Sequence, residues 1–188
     1  MKLMVNKLST LCRLAGAAAF AFTVTVGSSG SAQEAPPPVA AASFRDALNR
    51  ATGDLSAGKL PEARAGFEAL LKRPLGTSER GIALAMRAVT LVGLGELDAA
   101  ARGFSEARLA APHIPDVQLA EVRAGLAFGR PGFVLQPLTR IAEAHGEWLT
   151  LEHRELVTSA LAMGVQGKLR KEYEALVLAL GRRNPPYG

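Results

Sequence analysis

The densest gathering of chemically capable side chains in the 188-residue chain is "AHGEWLTLEHRE", which brings His145, Glu147, Glu152, His153 and Glu155 close together in sequence. Imidazole nitrogens and carboxylates are ligands that zinc accepts, and the same groups serve as general acids and bases. A helical zinc site sets its histidines one turn apart, as in H-x-x-x-H or H-E-x-x-H. The spacing of His145 and His153 matches neither pattern, and Trp148 between them reads more simply as a plug between helical hairpins. His113 is the only other histidine. A metal-dependent enzyme using the His145/His153 region is therefore the weakest of three functional readings, and no metal or cofactor is expected.

Other motifs give no stronger chemistry. "VGLGE" holds a lone G-x-G, but it falls at the end of a helical stretch rather than after a strand, so it reads as a helix stop. "GFSEA" lacks the second glycine of a nucleophile elbow and has no strand before it. There is no Walker lysine, and the single cysteine, Cys12, has no partner thiol. No catalytic residue is expected.

The elements that would position any site begin after a leader. Lys2, Lys7 and Arg13 form a basic start, Leu14 to Val26 is an uncharged apolar run, and "GSSGSA" ends in the small-residue pair Gly30 and Ala32. That is the three-part plan of a secretory signal, with cleavage expected after Ala32. The apolar run is shorter than the roughly 20 residues that span a bilayer, so no stable membrane span is expected after cleavage. Cys12 precedes the run, which argues against lipidation. Removing residues 1–32 leaves 19 basic against 17 acidic residues, a net charge of +2 instead of +5. Nucleic acid is therefore not an expected partner. Residues 33–43, "QEAPPPVAAAS", read as a semi-rigid spacer. The remaining chain has no cysteine and must be held by packing alone.

From Ser43 onward apolar residues recur at helical spacing and glycine or proline punctuates the chain, so the fold class is all-α. The spacing predicts helices near 44–57, 61–73, 79–94, 98–110, 115–129, 134–145, 151–165 and 168–180. Pro61 suits a first helical turn, Asp98 or Thr150 could cap a helix, and Gly181 before "RRNPP" reads as a stop. "GKLPEARAGF" (58–67) and "GELDAAARGF" (95–104) share five of ten residues at an offset of 37. Further steps reach Gly132 and Gly167, which makes four units of nearly constant length.

These units resemble the tetratricopeptide repeat family, here an exported bacterial member, whose repeat is two antiparallel helices of about 34 residues. The second unit matches best, through Ala88, Leu91, Gly95, Leu97, Ala100, Phe104, Ala107 and Pro112. The first keeps Ala51, Gly58, Ala63 and Phe67, with Asp54 where an aromatic is usual. In the third, Gly125, Phe128, Gly132, Ile141 and Ala144 fit, but Pro137 replaces an alanine; a helix starting near Val134 accommodates it, because a first-turn proline loses no intrahelical bond. The fourth keeps Ala160, Met163, Gly167, Leu169 and Leu176, with Glu172 in place of alanine. The resemblance implies a right-handed superhelical stack of about four helix-turn-helix hairpins, an α-solenoid over 44–181 with a tail at 182–188. Small residues such as Ala88 and Ala100 let the helices of a hairpin approach closely while Leu91 and Phe104 fill the space around them. Gly66 and Gly103 lie inside second helices and serve either close contact with the next hairpin or nothing more than a tolerant surface.

In such a stack the first helices line a concave groove. Its expected partner-binding strip is Leu48, Thr52 and Leu55, then Ala85, Val89 and Val92, then Leu119, Val122 and Leu126, and finally Val157 and Leu161. An exposed apolar strip suits a helix or an extended peptide; residues packed on a neighbouring first helix would instead be core. The asparagine and lysine clamp of chaperone-binding relatives is not evident, so acidic C-terminal peptides are not expected ligands. The leading expectation is a non-catalytic scaffold or adaptor for another protein or peptide of the cell envelope, periplasmic or secreted. The alternative from a different class is a self-associating structural module, a homo-oligomer joined through the ends of its stacks.

Overall fold

The chain's computed structural model describes residues 43–166 and 169–183. The expected signal, the spacer up to residue 42, Gly167 of the fourth unit and the tail from residue 184 lie outside the described residues. Among the described residues there are eight α-helices and no strand. They are α1 Phe44–Ser56, α2 Leu60–Leu71, α3 Thr77–Leu94, α4 Leu97–Ala110, α5 Pro115–Ala127, α6 Leu135–His145, α7 Arg154–Gln166 and α8 Arg170–Arg183. Three single 3-10 turns, Pro131–Phe133, Gly146–Trp148 and Leu151–His153, interrupt the second half.

Local chemistry accounts for the boundaries. The Ser43 hydroxyl accepts the Asp46 N–H at 3.2 Å and so caps α1. Before α3 the Gly76 N–H donates to the Glu79 carboxylate at 3.1 Å, half of a capping box. Pro61 falls in the first turn of α2, as its spacing predicts. Asp98 does not cap α4: the cap position is Glu96, and Asp98 lies inside the first turn, where its charge favours the helix dipole. Gly181 does not stop α8, which continues to Arg183. Pro137 lies in the first turn of α6, after Val134 at the cap position.

One closing bond recurs at the turn of each hairpin. The N–H of Lys59 reaches the Asp54 carbonyl at 2.9 Å, Glu96 reaches Leu91 at 2.9 Å, Arg130 reaches Gly125 at 2.7 Å and Leu169 reaches Gly164 at 3.1 Å. In the first three turns this six-to-one bond closes a Schellman turn, with a left-handed residue just before its donor. Gly58, Gly95 and Gly129 supply it, with φ of 75°, 81° and 63°. In the third unit the turn glycine is thus Gly129 and not Gly132. Pro131 starts a 3-10 turn immediately after the closing bond, which adds a short segment before α6 and moves Gly132 out of the repeat register.

Helices α1 to α4 pack each on the next in sequence and α3 also packs on α5, whereas in the second half the principal pairing is α6 on α8, with α7 on α8 and α5 on α6 weaker. Within α3, Gly81 to Met86 and Ala88 to Val92 are all buried, which is the pattern of a helix enclosed on every side. Helix α5 faces two ways. Val117, Ala120 and Ala124 join a core with α1 to α4, whereas Leu119 and Val122, displaced around the helix, join a second core with α6, α7 and α8.

The small-residue crossings lie within hairpins. A Cβ on Gly66 would sit 2.9 Å from Ala51 Cβ, and one on Gly103 would sit 3.1 Å from Ala88 Cβ. Close contact is therefore the role of both glycines, but toward the first helix of their own hairpin rather than toward the next one. Gly125 is tighter still, with its added Cβ 2.5 Å from Val134 Cγ2 and 2.8 Å from the Phe133 carbonyl oxygen. Because the Phe133 contact is backbone, Gly125→Ala is expected to overpack by about 1–3 kcal/mol, more than the roughly 1 kcal/mol that alanine returns in helix propensity. Gly53, with nothing within 4 Å, is the counterpart, and Gly53→Ala should be stabilising. Thermal melts that move in opposite directions verify both; a higher melting temperature for Gly125→Ala would refute the crowding.

Candidate functional site

The expected groove strip divides sharply by burial. Ala85, Val89 and Val92 on α3 are buried, as are Leu48 on α1, Leu119 and Val122 on α5 and Val157 on α7. These seven, from every unit of the strip, belong to the two cores, so they are packing surface and do not line a groove. The cause is the enclosure of α3 by α1, α2, α4 and α5. Thr52 and Leu55 at one end, and Leu126 and Leu161 at the other, keep partial exposure. Phe128, at the end of α5, is 36% exposed.

Charged side chains join the hairpins at other places. Glu121 on α5 accepts from Arg108 Nη1 of α4 at 2.5 Å and from Arg140 Nη2 of α6 at 3.2 Å, and its side chain is 11% exposed. Burial raises the Glu121 carboxyl above its ordinary range even though both guanidiniums pull it down. Burial likewise lowers Arg108, with Arg140 adding repulsion against the attraction of Glu121. Desolvation offsets most of the attraction in such a cluster, so its main effect is to fix where α4, α5 and α6 meet. A lone carboxylate inside the apolar run "VQLAEVRAGLA" is the sequence signal that could have revealed it.

Two shallow clefts flank these joints. One, of about 260 Å³, lies between α2, α3 and α4 and alternates arginines Arg64, Arg87 and Arg102 with Glu68, Glu96 and Glu106. Arg64 bridges Glu68 and Glu96 at 2.8 Å each, and so ties α2 to the start of α4. Arg87 Nη2 stands 3.6 Å from Glu106, while its buried Nε has no hydrogen-bond partner among the described residues. The other cleft, of about 310 Å³, lies between α6 and α8. Both are charge-mixed.

The histidine region is arranged as packing. The His145 ring stacks on Trp148 with centroids 3.9 Å apart, and Nδ1 is 3.6 Å from Glu147. His153 hydrogen-bonds instead to Thr150 Oγ1 at 3.2 Å. Among the described residues no three His, Cys, Asp or Glu side chains gather as a metal ion would require, and no helix is long and apolar enough to cross a membrane.

His153 makes a pH prediction. Burial is the largest influence on it, Arg123 acts in the same direction, and together they lower its pKa below the ordinary 6.5 against the pull of Asp116 and Glu152. The native state therefore binds this proton less readily than the unfolded chain. Stability from neutral His153 is present above pH 6.5 and is lost as pH falls toward the lowered value. Circular dichroism melts taken across that window should show a smaller decline for His153→Gln than for the parent. Equal declines would exclude the effect.

No family model, curated protein or solved structure matches the chain.

Proposed function

We propose that this chain is a tetratricopeptide-like α-solenoid, a right-handed stack of about four hairpins, acting in the cell envelope as a non-catalytic scaffold for another protein or peptide. The observation that supports it most is the recurring six-to-one bond at Lys59, Glu96, Arg130 and Leu169, which gives successive hairpins one turn geometry. Small residues at the Ala51–Gly66 and Ala88–Gly103 crossings of the first two hairpins fit the same scheme. Proteins of this architecture present extended surfaces to partners. With Leu48, Ala85, Val89, Val92, Leu119, Val122 and Val157 in the core, this reading assigns partner contact to Leu126 and Leu161, which keep partial exposure. Export by a cleaved signal puts that surface in the periplasm or outside the cell.

Crosslinked capture from the native envelope provides the test, with the parent chain compared against Leu126→Glu and Leu161→Glu. Loss of a specific crosslinked band in the variants, at unchanged helicity, is the expected result. Bands retained by both variants would overturn this placement of the surface. The mature protein should begin at Gln33, as N-terminal sequencing would read.

A further inference from the structure

Helix α5 carries apolar residues on two opposite faces, and each face belongs to a different core. Val117, Ala120 and Ala124 are buried with α1 to α4, whereas Leu119 and Val122 are buried with α6, α7 and α8. At 3.6 residues per turn the two sets lie roughly 160° apart around the helix. The strongest partner of α5 is α3, and that of α6 is α8. Each helix of the third hairpin is thus held more firmly by another helix than by its own hairpin mate. Helices α6 to α8 pack on α5, on the 3-10 turn Pro131–Phe133 and on one another, and no more than marginally on α1 to α4.

The boundary between the cores also buries charge. Glu121 Oε2 accepts from Arg108 of α4 and Arg140 of α6 while its side chain is only 11% exposed, and burial raises its carboxyl in spite of both guanidiniums. The carboxylate is therefore better solvated once α6 moves away, so the charged contact adds little to keeping the boundary closed. What closes it is chiefly the burial of Leu119 and Val122.

We infer that α6, α7 and α8 form one detachable unit, which opens together from α5 while α1 to α5 stay folded, so that the break falls inside the third hairpin rather than between hairpins. Stacked hairpins of equal strength would instead be lost in order from the end, α8 and α7 before α6. The pairing of α6 with α8 removes that order, because loss of either strips the other of its main partner. From Leu135 to Arg183 the unit is close to the roughly 40-residue size below which a chain seldom holds a core unaided, so its helices are lost when it leaves α5. Opening uncovers Leu119 and Val122, an apolar face of α5 that the closed chain conceals. It needs no partner, and so is tested apart from capture through Leu126 and Leu161.

Native-state hydrogen exchange of the purified full chain, read by mass spectrometry at rising sub-denaturing urea, tests the unit. Amides of α6, α7 and α8 are expected to exchange through one common opening, at least about tenfold more often than those of α3 and α4. Val122 makes its contact only in the closed state, so Val122→Ala should speed exchange in α6 to α8 about tenfold, the effect of two buried methyl groups. Val117→Ala, on the opposite face, removes a contact present both closed and open. It should speed α3 and α4 by a similar factor and leave α6 to α8 unchanged. A single opening shared by all helices overturns the proposal. So does exchange of α8 ahead of α6, or a Val117→Ala chain whose α6 to α8 quicken as much as its α3.

Discussion

Val89→Glu is expected to unfold the chain at neutral pH. Val89 is 3% exposed on a helix that α1, α2, α4 and α5 enclose. An unpaired charge in such a site costs several kcal/mol even after relaxation, a large part of the roughly 5–15 kcal/mol that holds a domain together. Circular dichroism should show loss of helix or of a cooperative melt. The folded pKa of the new carboxyl would lie above its unfolded value of about 4.3. Its cost is therefore least below that value and grows as pH rises, so the gap from the parent should narrow in acid. A native-like melt at neutral pH would mean that the side chain reaches solvent, and the strip would then be open along α3. Leu126→Glu, partly exposed though packed on the second core, should lower the melt by less than Val89→Glu.

Phe104→Ala should cost about 3–5 kcal/mol. Phe104 is 1% exposed and sits where α4 meets the 3-10 turn that precedes α6. Its ring centroid is 6.0 Å from that of Phe133 at an interplanar angle of 59°, a tilted contact worth about 0.5–1.5 kcal/mol beyond burial. Denaturant titration should give a lower midpoint with an unchanged slope. A double-mutant cycle with Phe133→Ala isolates the ring contact, and a coupling near zero would reduce it to simple proximity. Because the pair joins the second hairpin to the third, the loss should be felt on both sides of that joint.

Most helix boundaries are legible in the sequence, because they depend on residues near in sequence. Predicted and observed helices agree within three residues, the largest differences being at the start of α7 and the end of α8. Gly58 and Gly95 were readable as turns because a left-handed position favours a residue without Cβ. Gly129 was missed in favour of Gly132 because a constant offset of 37 ignores the 3-10 turn that Pro131 introduces. The small-residue pattern correctly located tight contacts at Gly66 and Gly103, but their partners, Ala51 and Ala88, were not the next hairpin.

The candidate surface was much less legible. Helical periodicity marks Val89 and Leu126 alike as apolar, and only the neighbours of each helix decide that Val89 is sealed and Leu126 only partly so. Glu121 shows the same limit: its charge is visible in the sequence, whereas its partners Arg108 and Arg140 stand 13 and 19 residues away on two other helices. Local chemistry therefore determined the all-helical class, the turns and the identity of the apolar stripes, since each depends on backbone preference and side chains within a few residues. Tertiary structure decided the enclosure of α3, the two-sided packing of α5 and the pairing of α6 with α8, because burial depends on which distant helices share a boundary.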